Sequence, residues 1–188
     1  FDILNYREDK LREKLESFLS QGNICTITYS SPNNPTWISL SENELKIIGE
    51  LATKYDAIVV EDLAYFGMDF RENYGQPGVP PYQPTVAHYT DNYILLLSAS
   101  KIFSYAGQRI GMMITSEKLR TRHYPALKNY FSSDSLGHFI PYGVLYATTA
   151  GTSHTAQYAL AEMLKAANDG KIDFVKDLQP YGEKAKLM

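Results

Sequence analysis

The sequence predicts an α/β domain: a mostly parallel β-sheet held between helices in a three-layer α/β/α sandwich. Two short, continuously apolar runs, Ala57–Val60 and Tyr93–Leu97, read as strands buried on both faces. Helix-periodic segments are interleaved with them, the order that builds a parallel sheet with crossover helices. With 188 residues, 44% hydrophobic and 21% charged, the chain has the size and composition of one globular domain with a substantial core.

Taken in order, residues 4–21 place Leu4, Leu11, Leu15, Phe18 and Leu19 at helical spacing, and Gly22 ends the run. Residues 23–29 are a short strand, followed by the turn-forming cluster from Ser30 to Pro35. Ser41 with Glu44 three residues on is a capping-box pattern, and Leu45, Ile48, Leu51 and Ala52 continue one helical face. The strand at Ala57 ends in Glu61 and Asp62. Residues 71–90, rich in Gly, Pro and Tyr, read as a surface excursion. The strand at Tyr93 ends in Ser98-Ala-Ser-Lys101. A further strand spans 110–115, and Ser116 and Glu117 open a helix expected to run to about Phe131. Residues 135–168 are helical in character, interrupted by Pro141 and glycines. Residues 173–188 read as a last helix with Pro180 marking a bend. Residues 1–168 are expected to form one body, with 169–188 leading toward a further domain.

Composition narrows the function. A net charge of −3 leaves no basic footprint for nucleic acid. No apolar run approaches a membrane span, so a soluble protein without a membrane partner is expected. Cys25, alone in the chain, can form no internal disulfide; it reads as a small core residue in a reducing, cytoplasmic setting. His88, His123, His138 and His154 lack metal-ligand spacing, so no metal is expected. The tyrosines between Tyr124 and Tyr146 read as core packing, with an interface as the other option. The chain opens at Phe1 and closes in a helix-like stretch without a cap, which reads as a piece of a longer polypeptide.

In open α/β sheets, ligands bind beyond the carboxyl ends of the strands. Here those ends deliver Asn33 and Asn34, then Asp62, then Ser98, Ser100 and Lys101, with Arg109 following a short loop that contains Gly107. Each has an ordinary alternative: Asn34 a turn residue, Asp62 a helix cap, Lys101 a solvated lysine, Arg109 a surface ion-pair residue. Together they place a carboxylate, an amine, hydroxyls and a guanidinium at one sheet edge. Strand alternation lets only one of Glu61 and Asp62 point into such a site.

Three motifs, Ser31-Pro-Asn-Asn-Pro-Thr36, Val60-Glu-Asp-Leu-Ala-Tyr65 and Ser98-Ala-Ser-Lys-Ile-Phe-Ser-Tyr-Ala-Gly-Gln-Arg-Ile-Gly111, appear in the order and approximate spacing of a known family. Across about residues 23–119 the chain resembles the fold-type I pyridoxal-phosphate enzymes, aminotransferase class I/II. The resemblance implies the central part of that family's large domain and pyridoxal 5'-phosphate as cofactor. It implies that Lys101 forms the Schiff base and, once freed, moves a proton at the substrate α-carbon. Asp62 would face the protonated ring nitrogen, with Asn34 and Tyr65 on the ring oxygen. Ser98, Ser100 and Arg109 would hold the phosphate, and Gly107 and Gly111 would permit close approach or unusual dihedrals.

The family usually has Asn-Pro-Thr-Gly where this chain has Asn34-Pro-Thr-Trp37; the indole either packs under the loop or narrows the substrate pocket. Family members also have an upstream phosphate loop, an aromatic residue stacked on the ring and a downstream Arg for the substrate carboxylate. None of these is within the 188 residues, so the span by itself is expected to be inactive. The implied parent is a homodimeric aminotransferase acting on an amino acid and a 2-oxo acid. Rival outcomes on the same scaffold are a C–S lyase, a decarboxylase, a cyclopropane-forming synthase, or the ligand-sensing domain of a transcriptional regulator.

Overall fold

The structure, a computed structural model, describes residues 1–187. After a single 3₁₀ turn (Ile3–Asn5) come α1 (Asp9–Leu19), β1 (Thr26–Ser30), α2 (Glu42–Lys54) and β2 (Ile58–Leu63). There follow β3 (Tyr93–Ser98), α3 (Ala99–Ile102), β4 (Gly111–Thr115) and α4 (Glu117–Thr121). Then come α5 (Leu136–Phe139), a π-helical segment (Ile140–Tyr146), α6 (Ala147–Thr149), α7 (His154–Asn168) and α8 (Phe174–Lys186).

The four strands lie side by side in sequence order. β1, β2 and β3 are parallel; β4 returns antiparallel against β3. The sheet is therefore mostly parallel, with helices between its strands, as the alternation of patterns requires. Leu11, Leu15 and Leu19 of α1 and Ile47, Ile48 and Leu51 of α2 pack on Val59 and Leu63 of β2 and Leu95 of β3. Each such side chain, fully buried, contributes about 1.5–3 kcal/mol, so this layer sets the orientation of β2 and β3. A smaller cluster joins Ala156 and Leu160 of α7 to Ala99 and Ile110, beside Met112 of β4. The opposite sheet face is more open: Ile58, Val60 and Ile94 are half-buried, and Leu96 and Met113 are exposed.

The α2 start bears out its sequence signature. Ser41 Oγ accepts from the Glu44 N–H at 3.1 Å, while Glu44 Oε2 accepts from the Ser41 N–H at 2.8 Å. Glu44 is fully buried and also accepts from Arg7 Nη2 at 2.6 Å and from the Glu8 N–H at 3.2 Å. Burial works to raise the Glu44 carboxyl, and the Arg7 guanidinium with the two backbone donors outweighs it, leaving the group below its ordinary range.

Several expectations are corrected. The first helix begins at Asp9, because Glu8 has φ 51° and its carboxylate is drawn to Ser41 and Asn43 (2.7 and 2.5 Å); Leu4 is exposed. The helix opened by Ser116 stops at Thr121, ahead of Pro125, which instead starts a 3₁₀ segment (Pro125–Asn129). Cys25 is exposed: it precedes β1, an outer strand of the sheet, rather than joining the core. Tyr130, Tyr142 and Tyr146 are 85%, 57% and 64% exposed, so these tyrosines are not core. Pro180 lies inside α8, which continues through it to Lys186; Met188 falls outside the described residues.

Candidate functional site

The parallel strands bring their carboxyl ends to one rim. Ser30 lies beside Asp62, Leu63 beside Leu97, and Ser98 beside Gly111, the first residue of β4. Asn34, Asp62 with Tyr65, Ser98 to Lys101, and Arg109 thus all leave the sheet at the same edge. At Gly111 an added Cβ would come within 2.6 Å of the Leu97 carbonyl oxygen, so the close pairing of β3 and β4 there requires glycine. Gly107 is different: its φ is not positive and a Cβ would meet nothing within 4 Å, so the chain's own packing does not demand it.

The two adjacent carboxylates of β2 are separated by strand alternation. Glu61 lies on the helix-covered face, fully buried, and its Oε2 accepts from the Val86 N–H at 2.9 Å. Burial pushes its carboxyl up to about 7, against the pull of the Val86 N–H and of Tyr29. Tyr29 is its cross-strand neighbour, yet neither Tyr29 Oη nor Glu61 Oε1 completes a hydrogen bond, so that pull is a weak approach rather than a formed bond. Asp62 is half-buried on the open face, with Oδ1 accepting from the Ala64 N–H at 2.9 Å. The local turn uses one carboxylate oxygen of Asp62.

Asn34 Nδ2 donates to Tyr65 Oη at 2.9 Å, a contact across 31 residues that joins the first motif to the second. The Lys101 amine, on an exposed residue, lies 6.0 Å from the Tyr65 ring centroid, which brings in the third motif. Lys101 and Asp62 form no ion pair among the described residues. Ser98 Oγ accepts from the Ser100 N–H at 3.2 Å, capping α3. Arg109 adopts φ 53° and turns its guanidinium back on its own loop, donating to the Ala106 carbonyl at 2.9 Å.

Beside this group is an aromatic set only partly foreseen. Trp37 is 41% exposed and meets Tyr65 edge-on at 5.2 Å and Phe70 nearly parallel at 6.4 Å. It is not packed beneath its loop. Its φ of 57° is left-handed, which costs a non-glycine residue roughly 1–2 kcal/mol. Phe70 stands outside the three motifs, at the edge of the irregular 71–90 stretch, and its place five residues after Tyr65 is the signal the sequence offers for it. Next to it, Arg71 is bound by Asp69 through Nε (2.8 Å) and Nη2 (2.6 Å). Burial works to raise the Asp69 carboxyl, and Arg71 outweighs it, holding the group below its usual range.

Comparison with known proteins supplies an independent line. Residues 6–184 match the family described as aminotransferase class I and II. A histidinol-phosphate aminotransferase of Ruminiclostridium cellulolyticum is 27% identical over 187 residues, covering 100% of this chain and 47% of its own. The Chlorobaculum tepidum histidinol-phosphate aminotransferase is 33% identical over 162 residues, covering 86% and 40% respectively. The chain spans less than half the length of these relatives. A solved Thermus thermophilus aspartate aminotransferase double mutant superposes with a TM-score of 0.59 at 18% identity, over 93% of this chain and 37% of that one. At that identity the likeness concerns the fold.

Proposed function

This chain belongs to the aminotransferase class I and II family, and from that premise we propose that the protein carrying it is a pyridoxal-phosphate-dependent aminotransferase with Lys101 holding the cofactor. One observation supports the reading most: three motifs far apart in sequence converge at one sheet rim through the Asn34–Tyr65 bond and the Lys101–Tyr65 approach.

The donor set fits the cofactor group by group. Asp62 keeps one carboxylate oxygen free on the open face, suited to accept from a protonated pyridine nitrogen. Tyr65 Oη accepts from Asn34, which leaves the hydroxyl hydrogen to donate to the ring oxygen. Ser98 retains its hydroxyl hydrogen, Ser100 its hydroxyl, and Arg109 most of its five N–H donors, a set that matches phosphate oxygens.

When bound, pyridoxal phosphate supplies an electron-withdrawing ring that lets the α-proton of an amino acid leave. Lys101 Nζ would hold the cofactor and, when its amine is free, would hold and move that proton at the substrate α-carbon. Asp62 holds the ring nitrogen in its protonated form. Asn34 and Tyr65 orient the ring through its oxygen, and Ser98, Ser100 and Arg109 fix the phosphate end. An amino acid and a 2-oxo acid are the substrates in this reading, and a second copy of the protein is the partner. Residues 1–168 belong to the large domain, with 169–188 leading toward a further one.

The test uses the whole protein. Visible absorbance of the bound cofactor and amino transfer from amino acids to 2-oxoglutarate are measured for wild type and Lys101→Ala. The reading expects both signals in wild type and neither in the variant. Unchanged cofactor absorbance in Lys101→Ala overturns the assignment, and release of pyruvate with sulfide from cysteine assigns a lyase instead.

A further inference from the structure

The turn after β1 displays its tryptophan rather than burying it. Trp37 donates its N–H to the Asn33 carbonyl at 2.7 Å, and the Asn33 N–H donates to the Ile38 carbonyl at 2.9 Å, so the backbone closes without help from the indole. The residue nonetheless sits in a left-handed conformation that glycine adopts freely and a bulky side chain resists. What the indole gains there is position. It rests against the edge of Tyr65 and alongside Phe70, and 41% of the residue stays open at the rim.

Tyr65 lies 5.2 Å from this indole and 6.0 Å from the Lys101 amine, so the indole lies within two such steps of that amine. A large side chain on an amino acid reacting at Lys101 has the reach for that interval. The polar surroundings point the same way. Arg71, adjacent to Phe70, is a nearby cation that could receive an acidic side chain, but buried Asp69 already engages it twice. Indole faces, by contrast, receive apolar and aromatic groups by stacking and by exclusion of water.

We propose that Trp37, backed by Phe70, is a specificity-determining wall that receives the substrate side chain and selects amino acids with aromatic or large apolar side chains. This rests on the reading that Lys101 holds the cofactor. Trp37 acts on substrate choice and not on the chemical step, so its removal changes KM for large substrates more than kcat for small ones.

The experiment compares wild type, Trp37→Gly and Trp37→Phe in the whole protein, with phenylalanine, leucine, alanine and aspartate as amino donors. Binding of 3-phenylpropionate is measured by calorimetry, and borohydride-fixed cofactor is mapped by mass spectrometry in each protein. Trp37→Gly is expected to lower kcat/KM for phenylalanine about tenfold or more, through KM, with alanine little changed. It should weaken 3-phenylpropionate binding in parallel, and Trp37→Phe should restore most of both. With the cofactor fixed on Lys101, an unchanged phenylalanine-to-alanine ratio, or one that rises in Trp37→Gly, overturns the wall alone. Absence of label on Lys101 in wild type overturns the underlying reading, and the wall with it.

Discussion

Glu61→Gln tests whether the covered face of β2 holds a neutral carboxyl group. Glu61 is fully buried, is bonded at one oxygen by the Val86 N–H, and leaves its other oxygen without a completed hydrogen bond. Its carboxyl is raised from 4.5 to about 7, chiefly by burial. The folded chain therefore binds this proton more tightly than the unfolded chain does. The resulting stabilisation is complete below the unfolded value, shrinks as pH rises, and is gone above about 7. At 1.36 kcal/mol per pKa unit, the swing between the two limits is about 3 kcal/mol. Glutamine keeps the acceptor for Val86 and offers its amide to the Tyr29 hydroxyl, without a group that ionises. Urea unfolding of both proteins at intervals from pH 4.5 to 8 isolates the effect as a difference curve. Glu61→Gln should gain on wild type by about 3 kcal/mol across that range. A flat difference would refute the reasoning and show that Glu61 titrates alike in the folded and unfolded chain.

Arg7→Met should leave the buried Glu44 carboxylate without its ion partner; with Arg7 itself partly exposed and two backbone donors remaining, unfolding free energy should fall by about 1–3 kcal/mol at neutral pH, measured by urea denaturation. Because the Glu44 carboxyl is held below its ordinary range, the stability it contributes is present above that range and is lost as pH falls through the folded value. The deficit of Arg7→Met should therefore shrink in acid. Ser41→Ala should remove one half of the capping box at α2 and cost about 1 kcal/mol by the same assay. Gly111→Ala should force the β3–β4 pair apart at Leu97 and cost roughly 1–3 kcal/mol, read as a lower midpoint of thermal unfolding.

What could be read from the sequence were features set by local chemistry. The capping box needs only Ser41 and Glu44 three apart, and the strands at Ile58 and Tyr93 need only unbroken apolar runs. Strand alternation likewise separated Glu61 from Asp62, although only the packing of α1 and α2 shows which of them is covered. What escaped depends on contacts distant in sequence. Glu8 breaks the first helix because Ser41 and Asn43, more than thirty residues on, bind its carboxylate. Cys25 is exposed because β1 is an outer strand, a property of sheet order and not of its apolar neighbours. In the sequence Trp37 is a departure from a glycine pattern; its place beside Phe70 is set only where the loop after β1 meets the segment after β2.

The central proposition is that side chains from Asn34 to Arg109 surround one cofactor whose covalent attachment is Lys101. Borohydride reduction of the whole protein with pyridoxal phosphate, followed by proteolysis and mass spectrometry, addresses it at a single residue. Stoichiometric label on the peptide containing Lys101, abolished by Lys101→Arg, is the predicted result. Label on another lysine, or scattered over the eleven other lysines of this chain without preference for this rim, would contradict it.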